Sequence, residues 1–227
     1  VETRLVLWSH VSGCTYPMLS FKFLEKFDKI FFTSACSFDN EFWKKEQKEI
    51  IYKKSDVILG MGNLTKLKKK PNYKINVLPR IGYVGTLSKS KLHPDFVNLC
   101  KRILEKVSSA EFFLVGDMTN ASWLIEEARK LEISDRVHLT GYSDNINEWL
   151  LRFDIFGYPL NPYHFGTTEN SILEAMSAGL PVVLLRQATE KYIIDDMEDG
   201  ILAKDTEDYV NEIVRLVKDE KSREMLG

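Results

Sequence analysis

Short apolar runs alternate with amphipathic segments along most of the chain, and this alternation constrains the fold more than any other feature of the sequence. The first apolar runs cover residues 5–8, 29–34 and 57–63, and amphipathic stretches at 18–27 and 40–52 separate them. Strands that alternate with helices of this length pair in parallel through right-handed crossovers. The pattern therefore predicts an α/β protein with parallel sheets.

A second block of the same kind starts at Arg80 and predicts an open, doubly wound sheet. Its predicted strands cover residues 81–84, 112–115, 136–139, 154–158 and 182–185, and its predicted helices cover residues 95–107, 121–131, 146–152, 171–177 and 207–218. Ligands of such sheets bind beyond the carboxyl ends of the strands. The loops that leave strands are therefore the candidate binding loops.

A basic segment at 65–74, interrupted by Pro71 and without hydrophobic periodicity, separates the two blocks. This pattern indicates a domain linker, although a basic run can also contact anionic lipid or phosphate. The predicted domains are therefore residues 1–78, with the linker at 65–78, and residues 79–227.

The composition indicates a globular protein and argues against several functional classes. A chain of 227 residues, of which 44% are hydrophobic and 28% charged, can bury a sizeable core. The net charge of −2 argues against a dedicated nucleic-acid binder, and no apolar run is long enough to span a membrane. The three cysteines show no paired metal-ligand spacing, so we expect reduced thiols, no metal site and a cytoplasmic protein.

The most informative stretch is residues 164–185, which predicts a polar loop, a short helix, a Gly-Leu-Pro turn and a buried strand. Asn170 or Ser171 is the expected N-cap, and Gly179 is the expected residue after the C-cap. A helix start carries unpaired amides and a partial positive charge, so a phosphate can bind there. Glu174, about one turn into the helix, could then accept hydrogen bonds from two hydroxyls of a sugar ring.

The residues alone leave structural explanations open. Thr168, Asn170 and Glu174 could simply cap the helix and fix the loop. Gly85 and Lys91, in the first loop of the second block, could bind a phosphate or belong to an ordinary strand-to-helix turn.

The stretch at 164–185 resembles the signature of GT-B glycosyltransferases of family 4, the glycosyl transferases group 1, in which a loop runs into Glu-Ala-Met-x-x-Gly-x-Pro-Val-Val. The family commonly has a second Glu eight positions before the one that holds the donor ribose, and this chain has Gly166 there. The Gly-Thr-Thr-x-Asn loop is similar to a variant found within this superfamily. The resemblance implies that Glu174 holds the ribose of a nucleotide-sugar donor and that the loop binds the donor through Gly166, Thr167, Thr168, Glu169, Asn170, Ser171 and Glu174.

The first loop of the second block also resembles a family loop. Gly85 and Lys91 match a Gly-Arg-Leu-x-x-x-Lys pattern, whose Arg and Lys hold the donor diphosphate. Thr86 replaces the Arg, so the resemblance implies that one diphosphate cation is missing.

Further resemblances follow the same order along the chain. Gly116 is similar to the Gly of a Val-Gly-x-Gly turn, and Gly141 with Tyr142 is similar to the turn whose backbone reads the nucleotide base. In the first block, His10 resembles a His that faces the donor sugar in retaining family 4 enzymes, although it could instead cap the end of a strand. The turn at 61–63 is similar to an Asn-Gly-Val-Asp turn of the family.

The resemblance implies a GT-B type fold with two Rossmann-like domains and parallel sheets, of which the first domain is incomplete, so we expect a fragment. It implies an enzyme of the hexosyltransferase type, with His10 and Lys91 as catalytic residues, that moves a sugar from a nucleoside-diphosphate sugar to a glycan or lipid-linked acceptor. The reaction would retain the anomeric configuration and use no metal or cofactor. A role in polysaccharide biosynthesis for the cell envelope is expected, without nucleic acid as a partner, and peripheral contact with the inner face of the cell membrane stays open.

Two other functional classes stay open. The departures at Thr86 and Gly166 fit a nucleotide-sugar-binding or degenerate regulatory subunit without transfer activity. A structural α/β module that acts through its surface would bind no nucleotide. The sequence contains neither a Gly-x-Gly-x-x-Gly fingerprint between a strand and a helix nor a Gly-x-Ser-x-Gly elbow, so it does not favour a dehydrogenase or a hydrolase.

Overall fold

The computed structural model describes residues 3–60 and 64–227, and strands alternate with helices there as the apolar pattern predicts. The strands are β1 Val6–Ser9, β2 Lys29–Phe32, β3 Ser55–Val57, β4 Arg80–Val84, β5 Glu111–Val115, β6 Val137–Gly141, β7 Ile155–Tyr158, β8 Val182–Leu185 and β9 Ile201–Ala203. The helices are α1 Phe21–Leu24, α2 Lys45–Lys54, α3 Phe96–Lys106, α4 Ser122–Lys130, α5 Ile146–Arg152, α6 Asn170–Ser177, α7 Thr206–Lys218 and α8 Glu220–Leu226. The predicted turn at 61–63 lies outside the described residues.

Contacts between residues divide the chain into two compact units. The first unit combines the described part of residues 1–62 with two later segments, Tyr163–Asn170 and Gln187–Ile193. The second unit contains the remainder of the described chain. The domain boundary between residues 78 and 79 stays a prediction. It places the two later segments in the second domain, whereas the contacts place them in the first unit.

The first unit is built on a parallel sheet in the order β1-β2-β3. Side chains alternate between the two faces of a strand, and Ile30 and Phe32 of β2 are fully buried on one face, where they pack with Leu24 and Ile51. Lys54, the last residue of α2, donates a hydrogen bond from its ammonium to Leu24 O at 2.9 Å. The same carbonyl also accepts the Phe27 amide at 3.2 Å, so two donors bind it at the end of α1.

The second unit contains six parallel strands in the order β6-β5-β4-β7-β8-β9. From β4 the chain moves outward through β5 to β6, and it then returns to β7 and moves outward in the opposite direction. The strand order therefore reverses between β4 and β7, which is the point where such sheets bind ligands. One face of the sheet is covered by α3 and α7, where Tyr83 and Phe112 lie buried beside Phe96 and Tyr209.

Several predictions of secondary structure need correction, among them the helix predicted at 40–52, which is Lys45–Lys54. The second block has a sixth strand, β9, and a further helix, α8. The strand predicted at 57–63 is Ser55–Val57, because its partner β2 ends at Phe32, which pairs with Val57. The helix predicted at 18–27 is Phe21–Leu24, because the Ser20 hydroxyl accepts the Phe23 amide and starts the helix there.

Among the described residues, no helix combines the length and the apolar character that crossing a membrane requires.

Candidate functional site

Three of the predicted glycine loops meet at the carboxyl edge of the second unit's sheet. The Gly85 amide donates to Val115 O at 2.9 Å, and the Gly116 amide donates to Gly141 O at 3.0 Å. A Cβ atom on Gly116 would lie 1.9 Å from Gly85 O, so only glycine allows this backbone contact. The structure therefore brings Gly85, Gly116 and Gly141 together. Tyr142, the residue after Gly141, is 76% exposed.

The loop that carries Thr86 and Lys91 is held by backbone hydrogen bonds. The Tyr83 hydroxyl donates to Thr86 O at 3.0 Å, and Lys91 O accepts the Asn161 amide at 2.8 Å. The Thr86 side chain is exposed, and Lys91 is half-buried. The backbone of this loop is thus fixed at both positions.

Helix α6 begins one residue earlier than predicted. It starts at Asn170, so the N-cap position falls on Glu169 and not on Asn170 or Ser171. At the other end, Gly179 has a φ of +74°, its amide donates to Met176 O at 2.9 Å, and the Leu180 amide donates to Ala175 O at 3.0 Å. This pair of bonds is a Schellman motif, and it confirms Gly179 as the residue after the C-cap.

Glu174 lies on α6 with its side chain half-buried. Its carboxylate makes no hydrogen bond or ion pair with any residue that the structure describes. Burial raises the pKa of this carboxyl above its usual value of 4.5. Glu174 is therefore a partly desolvated acceptor whose hydrogen-bonding capacity the described protein atoms do not use.

The loop before α6 belongs to the first unit, and threonine hydroxyls hold it there. Thr33 Oγ1 donates to Thr167 Oγ1 at 2.7 Å, and Thr168 Oγ1 donates to Thr33 O at 2.5 Å. Thr15 Oγ1 donates to His164 O at 3.0 Å. The side chains of Thr167 and Thr168, both predicted as donor-binding, thus fix the loop to the residue that follows β2.

A buried group of acids and a histidine in the same unit was not predicted. His164 is 5% exposed and Glu190 is 1% exposed, and His164 Nε2 lies 3.0 Å from Glu190 Oε1. Neither Glu190 oxygen has a well-aligned hydrogen bond in the described part of the chain, so the contact is an ion-pair distance without hydrogen-bond geometry. His164 Nδ1 accepts the Gly166 amide at 3.1 Å and lies 4.0 Å from a carboxylate oxygen of Glu169, which is also buried.

The side chains around His164 also bind the backbone of Gly166. Thr189 Oγ1 donates to Gly166 O at 3.0 Å, so both the amide and the carbonyl of Gly166 are bound by side chains. His164 heads the stretch that the sequence singles out, but nothing in the sequence pairs it with Glu190.

His10 follows β1 directly and is exposed. Its ring centroid lies 4.7 Å from that of Trp8, and a Cβ atom on Gly60 would lie 3.3 Å from His10 Cε1. The imidazole forms no hydrogen bond within residues 3–60 and 64–227, so it caps no strand end there.

No group of three or more His, Cys, Asp or Glu side chains that could hold a metal ion is found in the described part of the chain.

A family sequence profile, described as Glycosyl transferases group 1, matches residues 78–219. The matched segment contains the glycine loops, Lys91 and Glu174.

Two curated proteins are similar over parts of the chain. The lipopolysaccharide core biosynthesis glycosyltransferase LpsE of Rhizobium meliloti (strain 1021) is 29% identical over 117 residues, which are 51% of this chain and 34% of that protein. The sulfoquinovosyl transferase SQD2 of Arabidopsis thaliana is 28% identical over 156 residues, which are 66% of this chain and 28% of that protein. The chain therefore spans about a third of the length of these relatives.

Solved structures share the fold. Anabaena Alr3699/HepE in complex with UDP and glucose has a TM-score of 0.77 at 16% identity, covering 98% of this chain and 64% of that one. Sucrose-phosphate synthase from Thermosynechococcus elongatus has a TM-score of 0.78 at 17% identity, covering all of this chain and 61% of that one. At these identities the likeness shows the fold alone, and that fold is the predicted GT-B type.

Proposed function

The chain belongs to the glycosyl transferases group 1 family, and we propose that it acts in moving a sugar from a nucleoside-diphosphate sugar to a glycan or lipid-linked acceptor. The observation that carries this proposal is the Glu174 carboxylate, which is half-buried and has no partner among the described residues. Leaving a desolvated acceptor unpaired is unfavourable. The two adjacent hydroxyls of a ribose supply the two donors that such a carboxylate accepts.

The diphosphate of the donor would bind to Lys91, to the backbone of the Gly85 loop and to the amides of the first turn of α6. Helix starts and lysine ammonium groups both favour anions. As the bond between the sugar and the diphosphate breaks, negative charge grows on the leaving group, and fixed donors lower the barrier to that step. In the proposed reaction, the sugar retains its anomeric configuration and no resident metal is used.

The proposed roles of the other predicted residues differ in what supports them. Gly85, Gly116 and Gly141 keep the carboxyl edge of the sheet open for a close approach of the ligand. The hydroxyls of Thr167 and Thr168 hold their loop, so any contact with the donor would use their amides. The role of His10 in orienting the donor sugar stays a prediction.

A second candidate function is a nucleotide-sugar-binding subunit without transfer activity. The backbone of Gly166 favours it: this residue stands where the family commonly has a Glu, and both its amide and its carbonyl are bound by side chains of the first unit. Such a subunit would bind the donor through Glu174 without transferring the sugar.

Calorimetric titration of the chain with UDP, GDP and ADP tests the donor site. We expect one diphosphate to bind and Glu174→Gln to weaken it at least tenfold, about 1.4 kcal/mol, because the amide lacks the charge that strengthens both hydrogen bonds. Glu105→Gln is the matched control, since Glu105 is an exposed glutamate on α3. Equal affinities of the three proteins for every diphosphate would refute the role of Glu174.

A second experiment separates the two candidate functions. The chain is incubated with the sugar derivatives of whichever diphosphate binds, and release of the free diphosphate is followed with and without glycan acceptors. Release that depends on an acceptor supports transfer. Tight binding without release supports the binding subunit.

A further inference from the structure

A cavity of about 250 Å³ lies in the second unit, and none of the predicted donor residues lines it. Its walls are Arg80, Phe113, Trp149, Arg152 and Phe153, and we refer to it as the arginine–aromatic cavity. Arg80 is the first residue of β4, and the last three wall residues come from the end of α5 and the position after it. The cavity is thus at the amino end of β4, whereas the Gly85 loop leaves the carboxyl end.

Three rings form the apolar wall of the arginine–aromatic cavity. The ring centroids of Phe113, Trp149 and Phe153 are 6.2 to 6.4 Å from one another. Phe153 packs directly on β4, since a Cβ atom on Gly82 would lie 2.0 Å from its ring. The wall is therefore fixed by the packing of α5 on the sheet.

Two guanidinium groups complete the lining, each held over a ring. Arg80 Cζ lies 5.8 Å from the centroid of Phe113, and Arg152 Cζ lies 5.2 Å from that of Trp149. Stacking of this kind orients a guanidinium and leaves its N–H groups free to meet an acceptor.

Neither guanidinium has an ion-pair or hydrogen-bond partner in the described part of the chain, and Arg80 Nε is buried without an acceptor. The neighbouring Asp154 does not neutralise them. Its carboxylate instead accepts the Lys70 ammonium at 3.2 Å, the Asn76 amide group at 2.9 Å and the backbone amide of Arg80 at 2.9 Å. The cavity thus combines an apolar wall with two guanidinium groups that form no ion pair in the described part of the chain.

We propose that the arginine–aromatic cavity binds a small organic anion, in which a ring or a short apolar group carries one carboxylate or phosphate. The charged end pairs with the two guanidinium groups, and the apolar end covers the three rings. An inorganic anion would use only the charges, and a neutral ring would use only the wall. Pockets for drug-sized ligands measure roughly 300–1,000 Å³, so this one accepts a ligand of about one ring.

Phenyl phosphate is the probe for this site, and its binding is followed by calorimetry and by tryptophan fluorescence, since Trp149 lines the cavity. We expect saturable binding that Arg152→Gln weakens at least tenfold. Arg152 is exposed at the end of α5, so its replacement should leave the melting temperature unchanged. The matched control is Arg129→Gln, because Arg129 is an exposed arginine near the end of α4.

Two further arms make the test specific. Inorganic phosphate and benzyl alcohol, each of which carries half of the required chemistry, should bind at least tenfold more weakly than phenyl phosphate. The affinity for phenyl phosphate should be unaltered by a saturating concentration of the diphosphate that binds the donor site and by the Glu174→Gln change, because the donor loops lie elsewhere.

The proposal is overturned if phenyl phosphate fails to bind, if it binds the Arg152→Gln protein as tightly as the unchanged chain, or if inorganic phosphate binds equally well. Displacement by the diphosphate that binds the donor site would also overturn it, since the probe would then occupy the donor loops. A failure of UDP, GDP and ADP all to bind, with phenyl phosphate still bound, would count against the proposed function alone.

Discussion

His164 Nε2 lies 3.0 Å from Glu190 Oε1, and both side chains are buried in the first unit. This pair joins the Tyr163–Asn170 segment to the Gln187–Ile193 segment, and Gly166, which His164 and Thr189 bind, lies between them. The loop that leads into α6 is therefore fixed by a buried contact between an imidazole and a carboxyl group as well as by the threonines.

Removal of His164 should destabilise the protein strongly. His164→Ala leaves the buried Glu190 carboxyl group without the imidazole beside it and removes the acceptor of the Gly166 amide, so we expect the free energy of unfolding to fall by about 3 kcal/mol. Urea denaturation followed by circular dichroism measures the change. Glu190→Gln in the same protein replaces the isolated carboxyl group by a neutral amide and should recover at least about 1 kcal/mol. If the double variant is no more stable than His164→Ala, lost packing explains the effect and the contact with Glu190 does not.

Gly116→Ala should damage both stability and donor binding. Its Cβ would lie 1.9 Å from Gly85 O, so the two loops must move apart, at a cost of about 2 kcal/mol. The affinity for the donor diphosphate should fall with it. Gly141→Ala is the comparison: no atom lies within 4 Å of its Cβ, and only its φ of +81° opposes the change, by about 1 kcal/mol. Chemical denaturation that ranks the two variants in the opposite order would contradict this account.

Met197→Gly should stabilise the fold. Met197 has a φ of +66° and is 48% exposed, so it bears backbone strain without much packing. Glycine removes the strain and loses more entropy on folding, which leaves a net gain of about 0.5 kcal/mol. Met225→Gly, at a methionine that is 60% exposed within α8, should instead destabilise by about 1 kcal/mol. Melting temperatures that shift in the same direction for both variants would count against the role of φ.

Donor binding and stability should respond to pH in opposite directions at Glu174. Because burial raises the pKa of this carboxyl in the folded protein, folding favours its protonated form, and its contribution to stability improves as pH falls through that raised pKa. Binding of a ribose needs the ionised form and should be lost over the same range, at a higher pH than for an exposed glutamate.

Binding of the donor diphosphate is measured by calorimetry between about pH 4 and 8. The Glu174→Gln protein is the reference, and it separates this effect from the titration of the nucleotide itself. In the variant, affinity should lose the part of its pH dependence that Glu174 causes, and the melting temperature near neutral pH should rise slightly. An identical pH profile in both proteins would exclude Glu174 as the titrating group.

The parts of the fold that could be predicted are those with a local signal. Strands β4, β5, β7 and β8 are mostly buried and each contains an apolar run, so their positions follow from the sequence. Strand β9 has three residues, which is too short to show a hydrophobic periodicity of its own. Helix α8 follows α7 after a single residue, so its apolar pattern is not separated from that of α7. Gly179 was identifiable because a Schellman motif needs a residue with positive φ at that position.

The rest depends on contacts between distant parts of the chain. Glu190 lies in an ordinary polar segment, and only the folded structure places it against His164. The arginine–aromatic cavity likewise draws its residues from β4, β5 and the end of α5, and each of them alone reads as an ordinary core aromatic or surface arginine.

The hydrogen bonds from Thr33 to Thr167 and from Thr168 back to Thr33 bear on recombination between relatives. Consider a chimera that joins the first 78 residues of one protein to residues 79–227 of another. It takes Thr33 from one parent and its partners Thr167 and Thr168 from the other. The residues that should come from the same parent are thus not contiguous in sequence. They are the segment after β2 and the Tyr163–Asn170 and Gln187–Ile193 segments. Crossovers chosen by that rule would preserve the loop that presents α6, whichever parent supplies the remainder of the sheet.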